Sequence, residues 1–223
     1  MTKYITLALA VAVAGAAQAT ILTFGDLHEV TGAPLGNYGV IDHAYGDNVT
    51  QTNDGVGSYL MGSGWTPNVT TSYATHDGAH NHFSNNLLHW DSSYGDLEHI
   101  AFSEVSNGYA RLILSADAGW SVRLESFDLA GWPQTDQAIE YLRVLDGANN
   151  ILWDANTTVA HGAGPTHDHY APNLVGQTLI IEWGPNWNTG LDNVSFSQTD
   201  VVPEPATMAV LGLGALALKR RRR

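Results

Sequence analysis

The sequence predicts an all-β domain, a two-sheet β-sandwich, flanked by a short helix at each end of the chain. Three observations carry that prediction. Between residues 20 and 199, short apolar runs alternate with clusters of Gly, Asn, Asp and Thr, the composition of strands separated by tight turns. No stretch of this segment sustains a helical period through three turns, and a packed helix needs that apolar stripe. One stretch has the form of a β-hairpin, with Ile139–Leu145 and Ile151–Trp153 joined by a five-residue loop over Asp146–Asn150. Many short strands with polar turns bury their apolar faces against a second sheet.

Taken in order, the chain opens with Met1-Thr2-Lys3-Tyr4, an apolar or small run from Ile5 to Ala17, and an Ala17-Gln18-Ala19 site. A basic start, an apolar core too short to span a membrane and an A-x-A site make residues 1–19 a secretory signal peptide. The mature chain is expected to begin at Thr20. Strands are predicted at Ile21–Phe24, Tyr38–Ile41, Val69–Ala74, Ile100–Val105 and Tyr109–Ser115. Further strands follow at Trp120–Leu129, Ile139–Leu145, Ile151–Trp153, Gln177–Trp183 and Leu191–Ser197. Alternation in Val122-Arg123-Leu124 resumes out of phase in Phe127-Asp128-Leu129, which predicts a β-bulge at Glu125-Ser126.

Residues 200–223 are different in kind. Pro203-Glu204-Pro205 ends the last strand, because proline joins neither a ladder nor a helix interior. Residues 206–218 are 13 apolar or small residues, about 20 Å as a helix, against a hydrocarbon core of roughly 30 Å. Lys219 and Arg220–Arg223 follow and would stay on the cytoplasmic side. The arrangement is a halt during export, with transient membrane contact through 206–218. A Pro-Glu-Pro motif, a glycine-bearing apolar helix and an arginine cluster in that order resemble the PEP-CTERM sorting signal of Gram-negative bacteria. The resemblance implies recognition by an exosortase, a membrane protease-transpeptidase, and delivery to the cell surface or extracellular matrix. It also implies an association with exopolysaccharide and biofilm. The closing Leu191–Ser197 strand, with Phe127-Asp128-Leu129, resembles the jelly-roll domains of such proteins, which are similar to galactose-binding-like sandwiches.

With both ends set aside, about 180 residues remain, enough for one domain with a real core. The chain has no cysteine, which excludes disulfides and thiol catalysis. The domain keeps three cations, Arg111, Arg123 and Arg143, against 20 of the 22 carboxylates. Such a surface repels phosphate backbones and excludes nucleic acid as a partner. It favours solubility and attracts divalent cations.

Candidate chemistry falls into three groups. All ten histidines lie in the domain, six of them in two patches, His76/His80/His82 and His161/His167/His169. Residues two apart on a strand share a face, so His76, His80, His82, His167 and His169 are candidate Zn²⁺ or Cu²⁺ ligands if the patches converge, and solvated loop histidines otherwise. Asp26, Glu29, Asp42, Asp47, Asn53, Asp54 and Asp192 are candidate Ca²⁺ ligands if the first and last strands are neighbours, though no EF-hand loop is present. Their alternative role is in turns. Among seven tryptophans, Trp132, Trp183 and Trp187 with Asn188 are read as loop residues on which a sugar ring could stack, or as packing residues. Trp120 and Trp153 belong to strand patterns and are expected in the core. No G-x-S-x-G or zinc-hydrolase motif appears, and among so many acidic residues no carboxylate pair stands out. The expectation is an exported, exosortase-sorted, non-catalytic protein that binds extracellular polysaccharide. A purely structural matrix protein or a metal-binding protein are the alternatives.

Overall fold

The computed structural model describes residues 19–46, 51–53, 58–60, 64–84 and 86–200. Residues 1–18, the Pro203-Glu204-Pro205 motif, the apolar segment 206–218, the basic tail, and the calcium candidates Asp47 and Asp54 lie outside them.

Every regular element among the described residues is a strand. In chain order they are β1 (Thr20–Leu22), β2 (Leu27–His28), β3 (Gln51–Asn53), β4 (Ser58–Leu60), β5 (Val69–His76) and β6 (His82–Ser84). Next come β7 (Leu88–Trp90), β8 (Ile100–Phe102), β9 (Tyr109–Ala116), β10 (Trp120–Gly131), β11 (Gln137–Ala138) and β12 (Tyr141–Asp146). The last are β13 (Ile151–Asp154), β14 (Val159–Ala160), β15 (Asp168–Tyr170), β16 (Leu174–Gly176), β17 (Thr178–Gly184) and β18 (Thr189–Asp200). No described helix is long and apolar enough to cross a membrane.

Two antiparallel sheets form the sandwich. One runs β13-β12-β17-β9-β5-β6. The other runs β15-β10-β18-β8-β7, with β1 added beside β18 and β16 beside β10. Period-two alternation sorts their side chains. Leu112, Leu114, Leu142, Val144, Leu179, Ile181 and Trp183 of the first sheet join Val122, Leu124, Phe127, Leu129, Val194 and Phe196 of the second in one buried cluster. Fully burying such side chains contributes roughly 1.5–3 kcal/mol each. The expected bulge is present: the β10–β18 register shifts between Leu124 and Ser126, and again before Asp128. It keeps Leu124 and Phe127 on the same buried face. The expected hairpin is β12–β13, and Asp146 organises its loop by accepting the amides of Ala148 and Asn150.

Tyr38–Ile41 differs from expectation. It makes a single bridge, Val40 to Leu88, because Tyr38 adopts a left-handed φ of 63° that breaks an extended ladder. The segment still runs beside β7, with the His89 amide donating to Gly39 O and the Tyr38 amide donating to His89 O.

A second, smaller core lies on the opposite face of the β7–β8 sheet. Ala101 pairs with Leu191 and joins the main core. Alternation therefore turns Ile100 and Phe102 outward, where they pack with Tyr94, Leu97, Ala130, Leu88, Trp90 and Trp132. This satellite core is the floor of the site described next.

Candidate functional site

The outer face of β7 and β8 carries an aromatic cleft of about 200 Å³, lined by Tyr38, Trp90, Tyr94, Phe102, Glu104, Trp132, Trp187 and Asn188. Its walls are rings meeting edge to face. Trp90 lies 4.9 Å from Tyr38 and 5.8 Å from Trp132, centroid to centroid, within the favourable range for aromatic pairs. The backbone pins the walls together. The Trp132 amide donates to Asn188 O at 2.8 Å, the Tyr94 hydroxyl donates to Trp187 O at 3.0 Å, and the Asn188 amide donates to Asn186 Oδ1 at 2.9 Å. Long pairing of β10 with β18, down to Gly131 opposite Thr189, brings Trp132 and Asn188 side by side.

Exposure divides these rings by role. Tyr38 and Trp187 are 55% and 54% exposed, while Trp90 and Trp132 are half-buried. Burial, with Glu104 beside it, raises the Tyr94 phenol above its ordinary value, so it remains a hydrogen-bond donor. Desolvation raises the Glu104 carboxyl as well. The cleft thus combines apolar faces with a few fixed polar groups, the mixture ligand sites use.

The same outer face continues to a polar cluster. Asp128 on β10 stands opposite Asp192 on β18 and opposite His169 on β15. His169 Nδ1 lies 2.6 Å from Asp128 Oδ1, and the Asn193 side-chain amide donates to Asp128 Oδ2 at 2.9 Å. His167 Nδ1 lies 2.8 Å from Asp96 Oδ1. Asp192 is 4% exposed; burial first, then the Asp128 charge, pushes its carboxyl up to about 8.

Residues 201–223 match the PEP-CTERM protein-sorting motif. The chain carries a PEP-CTERM sorting signal. That motif marks an exported protein, sorted by an exosortase and carried through the membrane to the cell exterior. Among curated proteins, no relative matches the sequence.

In this PEP-CTERM protein three of the four residues expected to line a ligand platform, Trp132, Trp187 and Asn188, do line the cleft. Trp183 is a correction. It belongs to the strand expected over Gln177–Trp183, here β17, rather than to the loop that follows, is 1% exposed, and its indole donates to Thr189 O at 3.3 Å. The alternation Leu179, Ile181, Trp183 simply runs on into the core. Sequence reasoning missed Tyr38, Trp90, Tyr94, Phe102 and Glu104, whose places depend on the short β7–β8 hairpin.

The histidine patches belong to different sheets. His76 on β5 faces His82 on β6, rings 5.4 Å apart and edge to face, and His80 Nδ1 accepts a hydrogen bond from Arg111. Burial, and then the Arg111 charge, lowers His76 to about 4. His161, His167 and His169 instead pair with Asp168, Asp96 and Asp128. For the calcium candidates, β1 does lie beside β18. Asp42 is buried and accepts the Ala44 amide in a turn, Asp26 is half-buried near Tyr45, and Asp192 faces Asp128. Among the described residues, one group of three His, Asp or Glu places its donor atoms all within 4.8 Å of one another: His89, Asp91 and His99. No calcium or histidine candidate from the sequence belongs to it.

Proposed function

We propose that the exported sandwich is a non-catalytic module that binds extracellular polysaccharide in the aromatic cleft. The observation that supports this reading is the convergence of Trp132, Trp187 and Asn188 with Tyr38, Trp90 and Tyr94 on one exposed surface. The C–H faces of pyranose rings stack on aromatic faces, and Asn188 and Glu104 supply hydrogen-bonding groups for hydroxyls. The acidic balance of the domain, three cations against 20 carboxylates, fits a neutral or cation-bridged glycan better than a phosphorylated ligand. Export to the cell exterior by the PEP-CTERM route supports the same reading.

The test is saturable binding of defined polysaccharides, including that of the producing strain, by affinity electrophoresis and calorimetry. Trp187→Ala should weaken binding about tenfold, since losing one stacked ring is worth roughly 1–1.5 kcal/mol. Trp65→Ala removes a 46% exposed tryptophan outside the cleft and should leave affinity unchanged. Absence of saturable binding, or equal effects of the two variants, refutes the proposal.

A further inference from the structure

We propose that His89, Asp91 and His99 form a binding site for a divalent transition metal of the Zn²⁺ class. The three residues bracket the β7–β8 connection at the edge of the sandwich, on the face opposite the aromatic cleft. His89 pairs with Ala101, so alternation turns it inward, away from Trp90. It is 1% exposed.

The three residues bring one possible ligand atom each to within 4.8 Å of the others. His89 Nε2 and His99 Nδ1 lie 3.3 Å apart. Two imidazole nitrogens bound tetrahedrally to one Zn²⁺ at ~2.0–2.1 Å would stand roughly 3.3–3.4 Å apart. The other nitrogen of His89, Nδ1, sits 3.2 Å from Gly36 O. Donation there places the proton on Nδ1 and leaves the Nε2 lone pair aimed at His99, the outer hydrogen bond that metal-ligating histidines use to fix tautomer and orientation. Asp91 Oδ1, on a half-exposed side chain, lies 3.8 Å from His99 Nδ1 and 3.7 Å from His89 Nδ1, and supplies the negative charge that two neutral imidazoles lack.

The backbone holds the group together. The His99 amide donates to Asp91 O at 2.9 Å, and the Asp91 amide donates to Asn37 Oδ1 at 2.7 Å. A cavity of about 330 Å³ adjoins the three residues, walled by Phe24, Leu27 and Leu35. It leaves a fourth coordination position for water or a ligand oxygen. Two nitrogens and one carboxylate suit Zn²⁺ or Cu²⁺, whereas Ca²⁺ and Mg²⁺ take sets built of oxygen. The cluster owes nothing to the two dense histidine patches.

The experiment titrates Co²⁺, as a spectroscopic stand-in for Zn²⁺, into full-length tag-free protein stripped with chelator, reading the d–d absorption. A single equivalent is expected to bind, with the tetrahedral signature, and to raise the unfolding temperature. Because His99 is half-exposed, His99→Ala should stay folded and lose the signal, while Asp91→Asn weakens binding at least about tenfold. The double variant His167→Ala/His169→Ala, which alters the second patch, should titrate as the wild type does. Absence of Co²⁺ binding overturns the proposal, as does binding unchanged in both His99→Ala and Asp91→Asn or lost in the double variant. In those cases the 3.3 Å contact is an ordinary imidazole–imidazole hydrogen bond.

Discussion

Replacing Glu182 with Gln tests how the outer face of the six-stranded sheet is held. Glu182 on β17 is 0% exposed and stands between Arg111 on β9 and Arg143 on β12. Arg143 donates to its Oε1 from Nε at 2.9 Å and Nη2 at 2.6 Å, and Arg111 Nε donates to Oε2. Arg143 also sits 3.7 Å above the Tyr141 ring. Burial alone would raise this carboxyl, but the charges and hydrogen bonds of the two arginines outweigh it and hold it below the ordinary carboxylate range. Gln keeps the shape and one acceptor but leaves two guanidinium groups without their anion. Removing one partner of a buried pair costs about 3–5 kcal/mol. The lower end applies, because Arg143 is 14% exposed and keeps its ring contact. For a domain of this size each kcal/mol lowers the unfolding temperature by about 2–4 °C, so a fall of roughly 6–12 °C is expected. The assay is urea and thermal unfolding at pH 7, followed by tryptophan fluorescence. A depressed carboxyl contributes stability above its unfolded pKa and loses it as pH falls through the folded one, so the gap between variant and wild type should narrow in acid. A loss under about 1 kcal/mol at pH 7, or a gap independent of pH, would refute the reasoning.

Two further predictions concern the other sheet. Asp192, with its carboxyl pushed up to about 8, holds a proton that the unfolded chain releases near pH 4, so wild-type stability should fall as pH rises from about 4 to 8. Asp192→Asn removes that fall, gaining about 1–3 kcal/mol at pH 8 and little at pH 4; parallel pH–stability curves for the two proteins would contradict this. Gly95 has a φ of 56°, and a Cβ there would lie 1.7 Å from Thr166 O. Gly95→Ala should therefore cost on the order of 2–4 kcal/mol and disturb the Tyr94 wall of the cleft, read by denaturation and by a change in tryptophan emission.

What was legible in the sequence was what alternation writes over many residues. β9, β12, β17 and β18 are six to twelve residues long and set apolar side chains at alternate positions, as in Leu142 and Val144 or Leu179, Ile181 and Trp183, and the out-of-phase step at Glu125-Ser126 gave away the bulge. Strands of two or three residues, such as β2, β7, β14 and β16, are too short for a period and exist because a neighbouring strand supplies their hydrogen bonds. Trp183 was misassigned because the Gly184-Pro185 step that follows reads as a loop, although alternation places the indole inside. Trp132 and Trp187 were legible as residues but not as neighbours: 55 positions separate them, and the register of β10 on β18 closes that distance. His89 and His99 stand outside both dense patches, and only the β7–β8 pairing brings their rings together.

The β7–β8 hairpin carries both surfaces of interest, and the period of two explains how. Leu88 and Trp90 point outward to the satellite core and the cleft, while His89 between them points inward to Gly36 and His99. The connecting loop repeats the division, giving Tyr94 to the cleft while Asp91 and His99 flank the cavity on the opposite face. Two of the three cations in the domain, Arg111 and Arg143, lie on the other sheet and neutralise Glu182. The one charged residue that lines the cleft is a carboxylate, Glu104, and no arginine does, which suits a hydroxyl-rich ligand better than a phosphate-bearing one. A one-residue slip of β7 would exchange His89 with Trp90 and destroy both surfaces together. The backbone bonds that fix this register, from His89 to Gly39 and from Tyr38 to His89, thus matter as much to both proposed surfaces as the side chains they place.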